Sequence, residues 1–174
     1  MTVNEMKQAA CAVIDKHGDE LIALNQSIFE EPELGYKEFK TAKKFTDFLD
    51  KLGVKYTDKV GITGVVAPFK GKENKLRVAV MGELDAVVCP GHRCADPVTG
   101  AAHSCGHHAQ MAGIFGAALA LTVPEIAEKL GGQVVFFATP AEEYGEIEFK
   151  NQLREQGKIR YGGGKCELIR TGAF

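Results

Sequence analysis

Four side chains able to ligate a metal, His103, Cys105, His107 and His108, fall within six consecutive residues of this 174-residue chain. Packing rarely asks for such a density of imidazole and thiol, whereas a metal centre does. In Cys105-Gly106-His107 a thiolate and an imidazole can reach one ion only where the backbone is not yet helical, and Gly106 supplies that freedom. Residues 109–121 read as a helix, whose N-terminal end favours the thiolate form that a metal takes.

Pro140-Ala141-Glu142-Glu143 offers the second piece. Adjacent carboxylates directly after an apolar strand lie where open α/β sheets place their sites. Neighbouring side chains in extended chain point opposite ways, so one glutamate can hold a metal while the other faces a substrate water as general base. Taken alone, with Glu146 and Glu148 following, the run reads as a solvated acidic turn; the Cys105–His107 loop reverses that balance. Asp85 is the third piece, placed after the strand candidate 76–81 to ligate a metal or orient a ligand, and open to a plainer reading as a turn or cap.

The elements that must position these residues follow from periodicity. Residues 3–30 carry helical spacing with a soft point at Gly18, and 38–52 repeat it until Gly53. Strand candidates are 54–57, 64–69 and 76–81, the last as apolar as a buried strand, with a turn over 71–74. Periodicity then disappears from 85 to 108, a loop long enough to be functional. A short helical segment is expected at 124–130, a buried strand at 132–139, and weak helices at 149–156 and 165–169 around Gly162-Gly163-Gly164. Strands alternating with helices predict an α/β layer architecture in one unit.

A net charge of −2 and scattered Lys and Arg argue against nucleic acid or an anionic membrane as partner. The first ten residues lack the basic-then-apolar pattern of a signal peptide, and residues 109–123 are too short and too rich in Gly and Ala to span a bilayer. The expected location is therefore the cytoplasm. Five irregularly spaced cysteines fit reduced thiols better than a disulfide framework.

Four motifs in order, Pro32-Glu33-Leu34-Gly35-x-x-Glu38, Glu83-Leu84-Asp85-Ala86, Gly100-Ala101-Ala102-His103-x-Cys105-Gly106-His107 and Pro140-Ala141-Glu142-Glu143, resemble the M20 metallopeptidase family. The similarity is to its amidohydrolase branch, which includes N-acyl-amino-acid, indole-acetyl-amino-acid and aminobenzoyl-glutamate hydrolases. The resemblance implies a mixed, mostly parallel sheet flanked by helices, with residues 1–174 as the N-terminal portion of a catalytic domain. It implies Cys105, His107 and Glu143 as metal ligands, Glu142 as general base and Asp85 as supporting aspartate. The implied reaction is attack of metal-activated water on the amide of a small N-acyl amino acid. Two divalent ions serve a complete site, zinc ahead of manganese or cobalt.

The chain departs from the family pattern at His108 and Gln110, and in the extra cluster Cys89, His92 and Cys94. Relatives are also more than twice as long. The resemblance places further metal-binding histidines beyond Glu143, together with an inserted lid domain that carries homodimer contacts. Two rival readings follow from residues alone. One is a non-catalytic structural-zinc module built on Cys89, Cys94, Cys105 and a histidine, and the other a thiol hydrolase using Cys105.

Overall fold

The structure, a computed structural model, describes residues 1–73 and 76–174. The turn expected over 71–74 ends at Asn74, outside the described residues. Two helices open the chain, α1 (Val3–Lys16) and α2 (Gly18–Phe29), separated at His17. Thr2 and Glu5 form a reciprocal capping box that starts α1. Helix α3 (Phe39–Lys51) follows, burying Thr41, Phe45, Phe48 and Leu49 at helical spacing.

The main sheet contains β1 (Thr57–Val60), β2 (Gly64–Lys70), β3 (Arg77–Glu83) and β6 (Gln133–Thr139), in the order β1-β2-β6-β3. The first strand is displaced from the expected 54–57. The backbone N–H of Val54 donates to Leu49 O at 3.0 Å, so residues just after α3 are spent on terminating that helix. The sheet is mixed, but its balance differs from a mostly parallel one: β1–β2 and β2–β6 are antiparallel and only β3–β6 is parallel. The short connection between β1 and β2 permits only an antiparallel pair, while β3 reaches β6 through a long helical crossover.

That crossover carries a two-stranded ribbon, β4 (Val87–Val88) with β5 (Ala101–Ala102), then α4 (His107–Leu121) and α5 (Pro124–Ala127). Helix α4 begins at His107, two residues earlier than its periodicity suggests, because Gly106 turns the chain with φ +94°. It is the central rod, burying Met111, Ile114, Phe115, Ala118 and Leu119 against α1, α2 and the sheet. Phe115 meets Phe45 and Phe48 edge-on at 5.5 and 4.9 Å, contacts that add about 0.5–1.5 kcal/mol each beyond burial.

Helices α6 (Ile147–Glu155) and α7 (Gly164–Arg170) complete the chain. Strand β6 is buried along nearly its whole length, as expected. The expectation of a buried β3 is corrected: it lies at the sheet edge, with Val78 55% and Met81 37% exposed. Apolar content alone does not say which side of a strand is covered. Among the described residues no helix is long and apolar enough to cross a membrane.

Candidate metal centre

Strands β3 and β6 run in parallel and end together, Glu83 beside Thr139, and the Leu84 N–H extends the pairing to Thr139 O at 2.9 Å. Two loops therefore leave the same sheet end side by side. Asp85, fully buried, bridges them. Its Oδ1 accepts the Glu142 N–H at 3.1 Å and its Oδ2 the Glu143 N–H at 2.9 Å.

The backbone carbonyl of Asp85 lies 2.7 Å from Nδ1 of His107. A carbonyl only accepts, so Nδ1 carries the proton and Nε2 is left facing the opening. Around Nε2 stand Glu83 Oε2 at 2.8 Å, Glu142 Oε2 at 3.7 Å and Glu143 Oε1 at 3.9 Å. Burial works against a charged ring, but hydrogen bonds with the Asp85 side chain, Cys105 and the Asp85 carbonyl outweigh it and push His107 up to about 11.

Two overlapping sets of donor atoms result, each lying within 4.8 Å: Cys105, His107 and Glu143, and Glu83, His107 and Glu142. Glu142 and Glu143 thus join different sets.

The segment ahead of these glutamates is held under constraint. Ala141 has φ +45°, unusual for a residue with a Cβ. Its N–H donates to Glu38 Oε1 at 2.7 Å, and its carbonyl accepts the Gly164 N–H at 2.9 Å. Glu38 is completely buried and also accepts the Thr63 hydroxyl; burial pushes its carboxyl up to about 7. Lys150, buried as well, donates to the Glu143 carbonyl at 2.6 Å.

The structure brings Asp85, Cys105, His107, Glu142 and Glu143 into one place. His103 and His108 stand apart from it. Their rings pack 5.5 Å from each other, with His108 4.9 Å from Phe29, and neither appears in a metal-sized donor group among the described residues. Burial, then the neighbouring His108 and His107, draws His103 down to about 4. Cys89 and Cys94 likewise join no such group among the described residues, and His92 Nδ1 accepts the Cys94 N–H at 3.2 Å. The structural-zinc alternative therefore lacks its ligand cluster.

Sequence reasoning gave Lys150 and Lys165 no part in the site, and quoted Glu83 and Glu38 within its motifs without assigning either a role. Glu83 sits two positions before Asp85 and shares its side of the chain, a period-two signal that could have found it. Lys165 bonds to Glu83 Oε1 and lies 3.4 Å from Glu142 Oε1, a meeting across 82 residues of sequence that no local pattern announces.

No family model matches the chain. It is 36% identical over 132 residues to the IAA-amino acid hydrolase ILR1-like 5 of Arabidopsis thaliana, covering 73% of this chain and 29% of that protein. It is 32% identical over 145 residues to thermostable carboxypeptidase 2 of Saccharolobus solfataricus, covering 80% and 36%. Its fold matches the crystal structure of the Bacillus subtilis YXEP protein, a dinuclear metal-binding peptidase from the M20 family, with TM-score 0.66 and 30% identity over 82% of this chain and 40% of that one. The chain spans about a third of the length of the curated relatives it matches. Identity to hydrolases of this kind and agreement of fold place the chain in the M20 family of metallopeptidases and amidohydrolases.

Proposed function

We propose that the chain forms the N-terminal portion of the catalytic domain of a metal-dependent amidohydrolase acting on N-acyl or aryl-acyl amino acids. One observation carries the reading. The Asp85 carboxylate holds the backbone of Glu142 and Glu143 while its carbonyl orients His107, so that the donors of Cys105, His107 and Glu143 converge within 4.8 Å.

A thiolate, an imidazole and a carboxylate suit zinc, with manganese or cobalt also compatible. The Asp85 carbonyl on Nδ1 is the kind of outer contact that orients metal-binding histidines. Cys105, His107 and Glu143 would hold the ion. When bound there, a divalent ion polarises a carbonyl oxygen and lowers the pKa of water to about 7.

The remaining steps belong to the chain's own groups. Glu142, partly exposed at the opening, takes the proton of the attacking water and passes it to the leaving amine. Asp85 keeps Glu142 and Glu143 in register with His107 by holding their amides. The buried Glu38 and Lys150 fix the peptide on either side.

The substrate class follows from relatives named for small amides, the IAA-amino acid hydrolases and the N-acetylcysteine deacetylase of Bacillus subtilis. A complete centre in a family-length protein takes two ions, in keeping with the Bacillus subtilis YXEP protein, a dinuclear metal-binding peptidase. The test is metal content per chain by elemental mass spectrometry after purification without chelator. Near-stoichiometric zinc that disappears in Cys105→Ser and His107→Ala supports the reading; zinc that persists in both variants sinks it, and an empty parent chain means that the histidines expected beyond Glu143 are needed to close the site.

A further inference from the structure

We infer that the cavity beside Glu143 seats the acyl group of the substrate, that its walls suit a flat aromatic acyl, and that Tyr144 is the residue that selects it. The inference deepens the amidohydrolase reading above and rests on it.

The cavity, of about 280 Å³, opens between Leu34, the Ala86–Val88 end of the β4 ribbon and the segment that follows Glu143. That volume stands at the lower end of ligand pockets, which run from about 300 to 1,000 Å³, and suits one small rigid group. Glu143 lines it, whereas Glu83, Glu142 and Lys165 do not. Position then decides which half of the substrate it takes. The leaving nitrogen must stay within reach of Glu142, which returns the proton to it, so the carbon on the other side of the carbonyl points away from Glu142 and toward the Glu143 side.

The charged groups at the border are already engaged. Glu146 Oε1 holds Lys37 at 2.6 Å, and the buried Lys150 directs its ammonium to the Glu143 carbonyl. What remains for a ligand is apolar wall. Leu34 and Ala86, both buried, are bridged through their backbones, and the Ala86 N–H donates to Glu33 O at 2.7 Å, so this side is rigid. Val88, paired with Ala101 in the ribbon, is half exposed. Tyr144 adds an aromatic face. Its ring lies so close to Gly162 that a Cβ there would stand 2.8 Å from Cε2, and the Lys150 ammonium sits 5.4 Å from the ring centroid. The ring is thus held from two directions, yet Tyr144 remains 59% exposed. A fixed aromatic surface kept in solvent beside the centre offers a stacking face to a flat group.

The experiment titrates the full 174-residue chain, loaded with one equivalent of zinc, with N-benzoylglycine and N-acetylglycine, and with N-acetylphenylalanine, whose ring lies on the other side of the amide. Methyl NMR signals of Leu34, Val87 and Val88 report occupancy. N-benzoylglycine should shift them saturably, and the other two should bind about tenfold more weakly. Tyr144→Phe should keep the affinity for N-benzoylglycine and Tyr144→Ala should lower it roughly tenfold, the worth of a stacked aromatic contact. Circular dichroism melts confirm that each variant is folded. No saturable shift, equal affinity in parent and Tyr144→Ala, or equal binding of N-acetylphenylalanine to the zinc-loaded chain overturns the inference. Zinc content of the same sample is a separate result: neither Tyr144 nor the three reporting residues offers a metal ligand, so the comparison of parent with Tyr144→Ala decides the pocket with or without bound zinc.

Discussion

The Glu38 carboxylate accepts the backbone N–H of Ala141 at 2.7 Å across 103 residues of sequence. Ala141 is the one left-handed residue directly ahead of the glutamate pair, so a wholly buried acid in the turn before α3 sets the direction in which the loop leaves β6.

The Glu38 carboxyl is pushed up to about 7 from 4.5, first by burial and then by the Asp85 charge; the Thr63 and Ala141 hydrogen bonds pull the other way. Folding therefore favours its neutral form. The stability it contributes is full below about pH 4.5 and is lost as pH rises through about 7. Glu38→Gln stays neutral and keeps an acceptor for Ala141. Urea midpoints of parent and variant should diverge in the variant's favour between pH 5 and 8, by on the order of 3 kcal/mol at most. A constant difference across that range would refute the assignment.

Asp85→Asn leaves one oxygen for two backbone donors, and its amide group faces an N–H where a carboxylate oxygen stood. One buried donor is orphaned, at a cost of about 1–3 kcal/mol. Zinc affinity, measured by competition with a chromophoric chelator, should fall roughly 10–100-fold, the usual effect of losing an outer contact to a metal site. An unchanged affinity would separate Asp85 from the metal centre.

Zinc binding to the folded chain alone should raise its melting temperature with rising zinc concentration, equivalent to about 2.7 kcal/mol at a hundredfold excess over Kd. Cys105→Ser and Glu143→Gln should each flatten that response, because each removes one of three converging donors. Cys89→Ser should leave it intact, since Cys89 joins no donor group among the described residues. The opposite pattern would revive the structural-zinc alternative.

Gly164→Ala forces a Cβ onto Pro140 O, while at Gly163 a Cβ meets nothing within 4 Å. The first substitution should cost about 1–3 kcal/mol and the second stay within roughly 0.5 kcal/mol, read as denaturant midpoints. Equal effects would mean that α7 does not press on the 140–143 segment.

Much of the centre is legible in the sequence because its chemistry is local. Cys105 and His107 are two residues apart, Glu142 and Glu143 are adjacent, and both groups sit where a helix starts or a strand stops. The hidden parts are those that only packing assembles. Lys165 lies on a short helix whose weak pattern says nothing about reaching Glu83, and Glu38 reads as a polar residue opening a helix although it is entirely buried. The fold follows the same division. Helical stripes are read to within a few residues, but the run at 76–81 looks like a buried strand, and only the strand order reveals its open edge. Likewise, a parallel pair and an antiparallel pair share the same hydropathy, so the balance of directions emerges only from the connections.

The bridge from Asp85 to Glu142 and Glu143 spans 57 and 58 positions, and the contact between Lys165 and Glu83 spans 82. Helices and the β1–β2 hairpin can form from neighbours in sequence, whereas these contacts wait for β6 to settle beside β3. The donor set is thus a product of late closure. An ion that recognised only the closed arrangement would have little to hold during the ascent to the folding barrier, so its grip would be felt chiefly as slower unfolding and would act on the lifetime of the native chain more than on the speed of reaching it.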